Sequence, residues 1–261
     1  MRKFNIAIVG LGNIGSYLFK YLKDNKNILT EKNNCIPIVK YVSAKNINKK
    51  RKIKIEKKQW LKNYLDAAKL DDVDLIVELI GGSEGPAKKL VFNALKNKKH
   101  VVTANKALIA KYGDQLAKIA EKNKVNLEFE ASVCGGVPII RSLKEGLIAN
   151  KISKIQGIFN GTSNYILSSM DKQNKNFQEV LYNAKKLGYA ESNPAADLNG
   201  DDVASKLKIL SSLCFNSFLN NNIYVEGIKD IDKTDIDNAN KLGYKVKLLG
   251  FAELLKNTIY Q

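Results

Sequence analysis

Residues 188–206 place a lysine among several carboxylates and so contain the residue types needed for proton transfer. Asp202 and Lys206 are four residues apart in a segment with helical periodicity, so both side chains lie at the edge of the same apolar face. Taken alone, they form an ordinary surface ion pair of small energy. Glu191 and Asp197 precede them in a loop that contains proline and glycine. A partly buried lysine held by carboxylates is a candidate proton donor, and the spare carboxylates suit a substrate that carries an ammonium group.

A glycine-rich motif near the amino terminus indicates a dinucleotide-binding turn. Gly10-Leu11-Gly12-Asn13-Ile14-Gly15 follows a predicted strand and opens a predicted helix, which is the context such a fingerprint requires. The first glycine permits the tight turn, the second allows a pyrophosphate to approach the backbone, and the third allows the helix to pack on the strand. The amino terminus of the helix would supply unpaired N–H groups to the phosphates.

The end of the second predicted strand favours NADP(H), although NAD(H) stays possible. A cofactor with only ribose hydroxyls is typically bound there by an acidic residue, about 20 residues after the glycine motif. This chain instead has Val42-Ser-Ala-Lys45-Asn-Ile-Asn-Lys49-Lys50-Arg51, with four cations and no acid. A 2′-phosphate therefore fits better than a 2′-hydroxyl. Lys45 is the predicted contact for this phosphate. The alternative is that the lysines of this loop are only solvated.

Two other dehydrogenase chemistries have partial support in the sequence. A nucleophilic Cys134 would need a base, and the single histidine, His100, sits just before a predicted strand. Ser169, Tyr182 and Lys186 reproduce the spacing of the short-chain dehydrogenases. That family uses wider glycine spacing than this chain has. The lysine held by carboxylates is therefore the favoured arrangement.

The predicted elements divide the chain into two parts, residues 1–129 and 130–261. In the first part short β-branched runs alternate with helical patterns, which indicates βαβ units, a parallel sheet and an α/β fold of the Rossmann type. In the second part longer helices stand among a few strands, which indicates an α+β domain. The predicted strands are residues 4–9, 36–42, 75–80, 101–103, 126–129, 152–159, 224–228 and 244–252, and the predicted helices are residues 14–23, 84–96, 112–123, 139–149, 164–172, 177–187 and 201–215.

Composition limits the classes of function. The 261 residues carry a net charge of +17, which would suit a polyanion. However, only three cations are arginines and the lysines are spread along the chain, whereas base recognition favours arginine. Three widely spaced cysteines and one histidine exclude a disulfide framework and a zinc module. The lysine-rich residues 45–58 and asparagine-rich residues 216–222 are expected to be solvated loops.

We expect a cytoplasmic protein with no membrane or nucleic-acid partner. No apolar run approaches the roughly 18 residues of a membrane span. The first apolar run ends at the glycine motif and then meets lysines, with no small-residue cleavage site, so it does not read as a secretory signal.

Six blocks, in order over nearly the whole chain, resemble the homoserine dehydrogenase family. They are Gly10-Leu-Gly-Asn-Ile-Gly15, Glu78-Leu-Ile-Gly-Gly82, Val102-Thr-Ala-Asn-Lys106, Glu130-Ala-Ser-Val-Cys-Gly-Gly-Val-Pro-Ile139, Asn160-Gly-Thr-Ser-Asn-Tyr-Ile166 and Gly188-Tyr-Ala-Glu191 continuing to Lys206. The resemblance implies an NAD(P)-dependent oxidoreductase acting on a CH–OH group. It would reduce L-aspartate 4-semialdehyde reversibly to L-homoserine with NADPH, on the route to threonine, methionine and isoleucine, as a homodimer or homotetramer.

The resemblance also assigns roles to individual residues. Lys206 would donate the proton to the aldehyde oxygen, and Lys106 would be a second lysine near nicotinamide and substrate. Glu191 and Asp202 would hold the substrate's ammonium group and orient the lysines. Supporting substrate contacts would come from Asp197, Gly161 and Thr162. The cofactor would be bound by Gly10, Leu11, Gly12, Asn13, Ile14, Gly15, Lys45, Gly82 and Lys106, and a structural Na⁺ or K⁺ would be held by backbone carbonyls of Glu130, Val133, Gly135 and Val137.

The family normally continues beyond the strand in which this chain ends. The resemblance therefore implies a chain truncated within its second, homoserine-binding domain. Two other functions stay open: a non-catalytic NADP-binding Rossmann module and an inactive fragment. A non-catalytic module would bind NADPH but would not depend on Lys206.

Overall fold

The computed structural model describes residues 1–215, 223–255 and 258–260. The chain divides into two compact units, Met1–Pro138 and Ile139–Gln261. The asparagine-rich stretch 216–222, expected to be a loop, lies outside the described residues. None of the helices in the described ranges is long and apolar enough to cross a membrane.

The first unit is built on a five-stranded parallel sheet. Its strands are β1 (Arg2–Val9), β2 (Cys35–Ser43), β3 (Leu75–Glu78), β4 (His100–Thr103) and β5 (Leu127–Glu128). Their order in the sheet is β2-β1-β3-β4-β5, with every neighbouring pair parallel. The chain runs from β1 to β2 on one side and returns to β3 on the other, so β1 and β3 flank the point where the strand order reverses. Ligands of open α/β sheets bind at this point, beyond the carboxyl ends of the strands.

Four helices connect these strands: α1 (Asn13–Asp24), α2 (Lys26–Asn33), α3 (Pro86–Lys96) and α4 (Lys106–Lys122). Because helices are expected on both faces of a parallel sheet, its strands read as continuous apolar runs. Ile8 and Ile76 accordingly have no exposed surface. Pro86 at the first position of α3 has the backbone geometry that a helix start requires. The predicted βαβ organisation of this part is confirmed.

The lysine-rich stretch 45–58 is a loop with exposed lysines up to the turn that closes it, as its composition predicts, but it is also attached to the core. Ile53 and Ile55 pack against the buried cluster formed by β1, α1 and β2. A 3₁₀ turn, Lys57–Gln59, closes the stretch, and the side-chain amide of Gln59 donates to the Val39 carbonyl of β2 at 2.8 Å. Two isoleucines among the lysines thus attach the segment to the core.

The second unit combines helices with an antiparallel sheet. Its elements are α5 (Ile139–Arg141) followed by one π turn (Ser142–Gly146), β6 (Lys154–Gly157), α6 (Gly161–Gln173), α7 (Phe177–Lys186), α8 (Ala195–Asn199), α9 (Asp201–Phe215), α10 (Lys233–Lys241), β7 (Gly250–Leu255) and β8 (Thr258–Tyr260). The sheet order is β6-β7-β8. Apolar residues of α6 and α7, among them Ile166, Met170 and Val180, form its buried cluster. The α/β fold class, with a second sheet and helices, is confirmed.

Three predicted elements of this unit differ from the structure. The helix expected over residues 139–149 is only α5 and its π turn. Residues 224–228 form no strand, because the segment packs on α8: the Ile228 N–H donates to the Leu198 carbonyl at 2.8 Å. The strand expected over residues 244–252 begins only at Gly250. Before it, Lys245 reaches Asp171 of α6 instead.

Candidate functional site

The glycine motif forms the turn between β1 and α1. Gly10 has φ +108°, and a Cβ there would lie 2.3 Å from the Leu79 carbonyl oxygen. A Cβ on Gly15 would lie 2.0 Å from the Gly10 oxygen. Gly12 differs from both, since its φ is −76° and a Cβ would meet no described atom within 4 Å. The chain's own packing therefore accounts for the first and third glycines, whereas the second leaves open space at the turn.

A cleft of about 390 Å³ lies at this turn. α1 begins at Asn13 with no side-chain cap, so its first N–H groups face the cleft side without a capping partner from a side chain. The opposite wall consists of the ends of β3 and β4. The lining residues are Gly12, Asn13, Ile14, Gly15, Glu78, Leu79, Ile80, Gly81, Ala104 and Asn105. Uncapped helical N–H groups and an open glycine are what a diphosphate requires.

The wall of the cleft is fixed by a buried carboxylate that the sequence analysis did not assign a role. Glu78 has no exposed surface; one of its oxygens accepts from the N–H groups of Ile80 (2.7 Å) and Gly81 (2.9 Å). Its other oxygen accepts from the Thr103 hydroxyl at 2.5 Å, and that hydroxyl accepts from the Asn105 N–H at 3.0 Å. The loop after β3 and the turn after β4 are thereby joined into one surface.

The remaining predicted cofactor residues occupy different positions around the turn. Lys106 is the first residue of α4, directly after Asn105, which caps the helix by accepting from the Leu108 N–H at 3.1 Å. The Gly82 carbonyl accepts from the Asn105 side chain at 2.8 Å. Lys45 is exposed, two residues after β2. Leu11 contributes only its backbone, because its side chain is buried in the core.

The second unit brings together three of the predicted site residues around Asn160. Lys206 and Asp202 form an ion pair at 2.6 Å, with side chains 16% and 5% exposed. The Asn160 amide donates to Asp202 at 2.9 Å and to Asp197 at 2.7 Å. Its amide oxygen accepts from the Ser163 N–H at 2.7 Å and so caps α6. One side chain thus holds both carboxylates and the start of the helix.

Lys206 has a second partner in the chain, the Phe159 carbonyl, at 2.6 Å. An ammonium group has three N–H donors. Within the described part of the chain, Asp202 and Phe159 take two of them, so one stays available for a ligand. The half-buried ion pair is therefore more than the solvated surface pair that i,i+4 spacing alone would suggest.

The other predicted substrate residues lie at the start of α6 and in the turn that follows α7. The Thr162 hydroxyl donates to the Tyr189 carbonyl at 2.7 Å and so ties α6 to the turn that carries Glu191. Gly161 is exposed at the first position of α6, and Glu191 is exposed as well. The hydrogen bonds described for the Asn160 cluster do not include Glu191.

The predicted cation ligands lie in one short loop after β5. Glu130 begins a 3₁₀ turn, and its carbonyl accepts from the Val133 N–H at 3.4 Å. Cys134 has φ +49°, and its carbonyl accepts from the Val137 N–H at 2.8 Å. In the described hydrogen bonds of this loop, the carbonyls of Val133, Gly135 and Val137 are not among the acceptors. The cation site in this loop stays a prediction.

The two rival chemistries gain no support from the geometry. His100 begins β4, at the amino edge of the sheet, and its Nδ1 accepts from the Asn126 N–H at 3.0 Å. Ser169 is buried on α6, while Tyr182 and Lys186 are exposed on α7. Neither set presents a nucleophile or a proton donor to a common open site.

Comparison with known proteins identifies relatives that match nearly the whole chain. A family model described as the NAD-binding domain of homoserine dehydrogenase matches residues 10–130, and one described as homoserine dehydrogenase matches residues 138–260. The homoserine dehydrogenase of Bacillus subtilis is 40% identical over 254 residues, which are 97% of this chain and 58% of that protein. That of Neisseria gonorrhoeae is 42% identical over 251 residues, which are 96% of this chain and 57% of that protein.

Solved structures agree with these matches. A homoserine dehydrogenase from Thiobacillus denitrificans is similar with a TM-score of 0.91 and 39% identity, over 99% of this chain and 60% of that one. The chain thus spans less than three fifths of the length of the two curated relatives, at 58% and 57%.

Proposed function

Because the chain belongs to the homoserine dehydrogenase family, we propose that it catalyses the reversible NADPH-dependent reduction of L-aspartate 4-semialdehyde to L-homoserine. The carrying observation is the ammonium group of Lys206, half-buried and held at 2.6 Å by both Asp202 and the Phe159 carbonyl. Residues 1–129 would bind the cofactor and residues 130–261 the substrate. The reaction would serve threonine, methionine and isoleucine synthesis in the cytoplasm, in a homodimer or homotetramer.

In this proposal, NADP(H) binds at the turn of the first unit. The open space at Gly12 and the uncapped start of α1 suit the pyrophosphate. Lys45, exposed after β2, would contact the 2′-phosphate, since the strand end offers no acid for a 2′-hydroxyl. Gly82 and Lys106 would lie on the nicotinamide side. The bound nicotinamide supplies the hydride for reduction and accepts it for oxidation.

Lys206 provides the proton. As the substrate carbonyl carbon gains a hydride, its oxygen gains negative charge, and an ammonium N–H at that oxygen stabilises the charge and transfers its proton. The lysine becomes a neutral amine and the oxygen becomes the hydroxyl of homoserine. Asp202 orients the lysine through the ion pair and lowers the entropy cost of the correct geometry.

Recognition of the amino-acid end of the substrate is assigned to the carboxylates beside Lys206. Glu191 is exposed and would bind the ammonium group together with Asp202. Asp197 is held by Asn160 at 2.7 Å and would support that site with Gly161 and Thr162. A structural Na⁺ or K⁺ would bind the carbonyls of Glu130, Val133, Gly135 and Val137. Such a cation would stabilise the loop and take no part in proton transfer.

The test is NADPH oxidation with aspartate semialdehyde, followed for the wild-type chain, Lys206→Ala and Lys208→Ala. Removal of a general acid should lower kcat by about 10²–10⁴-fold and leave NADPH affinity nearly unchanged. Lys208 lies on the same helix outside the Asn160 cluster and serves as the control for a lost lysine.

Loss of NADPH binding in Lys206→Ala would contradict the assignment. The second candidate function is a non-catalytic binding module, which the complete glycine turn also supports. A wild-type chain that binds NADPH but shows no turnover would favour it.

A further inference from the structure

Arg51 lies within the cationic stretch after β2, and its guanidinium is occupied by the chain itself. Its Nη1 donates to the carbonyls of Lys49 at 2.9 Å and Ile47 at 3.2 Å, and its Nη2 donates to the Asn46 carbonyl at 2.8 Å. Its Nε donates to the Leu11 carbonyl at 3.1 Å. A guanidinium has five N–H donors, and four are used on backbone oxygens.

The Leu11 contact connects two separate parts of the cofactor site. Leu11 lies between Gly10 and Gly12, inside the turn that would receive the pyrophosphate. The other three carbonyls belong to the loop that follows Lys45. Arg51 therefore fastens the cationic loop onto the glycine turn, across 40 residues of sequence.

We call these four hydrogen bonds of the Arg51 guanidinium the clasp. The clasp is also attached to the sheet. The Arg51 guanidinium lies over the Trp60 ring, 5.5 Å from its centroid. Trp60 pairs with Val42 of β2 in a parallel bridge, and the Leu61 N–H donates to the Val42 carbonyl at 2.9 Å. The position of the guanidinium is therefore fixed from one side by β2 and from the other by the glycine turn.

We propose that Arg51 is a positioning residue for cofactor specificity, which holds the Lys45 loop beside the glycine turn so that the turn and the loop bind one phosphorylated dinucleotide together. Its role is positional, because four of its five N–H donors already bind backbone carbonyls. This inference rests on the proposed function, since it requires NADP(H) at the turn. It assigns the preference for a 2′-phosphate to the placement of the loop as well as to its charge.

Arginine is required for this role because of its shape. Its planar fork can donate to several carbonyls in fixed directions while its face stacks on an aromatic ring. A lysine keeps the charge but has a single tetrahedral head, so it cannot make both the Leu11 contact and the contacts within the loop. Arg51→Lys therefore removes the clasp without changing the net charge.

The experiment measures the dissociation constants of NADPH and NADH by cofactor fluorescence for the wild type, Arg51→Lys, Arg51→Gln and Lys50→Met. We expect both Arg51 variants to lower the NADPH-over-NADH preference by about tenfold, with NADH affinity changing much less. Lys50→Met removes a cation of the same loop and leaves the Arg51 hydrogen bonds intact, so it measures the contribution of loop charge and should lower the preference by clearly less than the Arg51 variants do. Thermal unfolding checks that each variant folds.

The outcomes separate the two proposals. Equal weakening of NADPH and NADH in the Arg51 variants would make Arg51 a purely structural residue and overturn the inference, as would an unchanged preference. If Lys50→Met lowered the preference as much, loop charge alone would explain it and the clasp would be rejected.

A wild-type chain that binds neither dinucleotide would refute the proposed function, and the inference with it. A wild-type chain that binds both equally would overturn the inference alone, because no phosphate preference would remain to be set.

Discussion

The three glycines of the first turn show how one residue type can serve two purposes. Gly10 and Gly15 are required by the fold, since a Cβ at either would overlap a backbone oxygen within 2.3 Å. At Gly12 the fold requires nothing of this kind: its φ of −76° is accessible to any residue and the space around it is open. The fold does not require glycine at position 12, whereas a bound diphosphate would. Such a glycine is therefore a marker of function.

This difference predicts that stability and binding separate at Gly12. Gly12→Val should fold with an unchanged thermal midpoint but lose NADPH binding, because the side chain occupies the space of the pyrophosphate. Gly15→Val should be destabilised as well, because its Cβ would overlap the Gly10 carbonyl. Calorimetry and NADPH fluorescence titration on both variants test this. Normal NADPH binding by Gly12→Val would refute the placement of the diphosphate.

Local patterns predicted the tight turn at Gly10 and the close packing at Gly15, but two polar residues needed the structure. Asn160 caps α6. Its second function, holding Asp197 and Asp202, depends on partners 37 and 42 residues away. Glu78 likewise pairs with Thr103, 25 residues away. No local spacing encodes such contacts; the only signal was a carboxylate at the end of an apolar strand, where an unpaired charge would be costly.

At the scale of elements, the sequence was reliable where a segment is rich in side chains that the fold buries. The βαβ elements and α6, α7 and α9 were predicted, and α6 and α9 bury five and six residues. α2 and α10 were not: α2 buries no residue and α10 buries only Ile236. α10 instead begins with a capping box, in which Asp232 and Asp235 exchange side-chain and backbone hydrogen bonds. The β-branched and aromatic residues among 224–228 favour a strand, but the packing of this segment against α8 overrides that preference.

α3 and α4 are joined by an exposed cluster that makes a pH-dependent contribution to stability. Glu84 precedes α3 and accepts from Lys111 (2.7 Å) and Tyr112 of α4 and from Lys88 of α3 (3.1 Å). These hydrogen bonds, that of Lys111 foremost, lower the pKa of the Glu84 carboxyl from 4.5 to about 2. A carboxyl whose pKa is depressed in the folded state stabilises the fold above its unfolded pKa. The contribution is lost as the pH falls from about 4.5 towards 2.

We therefore expect the difference in thermal midpoint between the wild type and Glu84→Gln to shrink from pH 5 to pH 2.5. Added salt should reduce the difference at pH 5, because the cluster is exposed and screened. Glu31→Gln, an exposed substitution on α2 outside the ion pairs described for this unit, is the control. A difference that stays constant across this pH range would show that the Glu84 carboxylate does not stabilise the α3–α4 pair.

The net charge of +17 is the most conspicuous property of the whole molecule and the least informative about function. Much of it resides in lysines on exposed surface, and those nearest the proposed cofactor site belong to a segment attached through Ile53, Ile55 and Arg51. The function proposed here depends on a few placed groups, among them Gly12, Lys45 and Lys206. Charge and composition alone could not distinguish such placed cations from the surrounding lysines.

Salt dependence distinguishes a built site from general attraction to polyanions. NADPH has no condensed counterion atmosphere, so its affinity should fall by less than about tenfold between 50 and 500 mM NaCl. Binding of duplex DNA through scattered lysines should fall by about 10³-fold or more by 200 mM NaCl. Fluorescence titration of NADPH and anisotropy of labelled DNA, at matched salt concentrations, measure both. The opposite result is DNA binding that persists at 200 mM NaCl while NADPH binding is lost. It would favour DNA binding through the lysines over dinucleotide binding at the glycine turn.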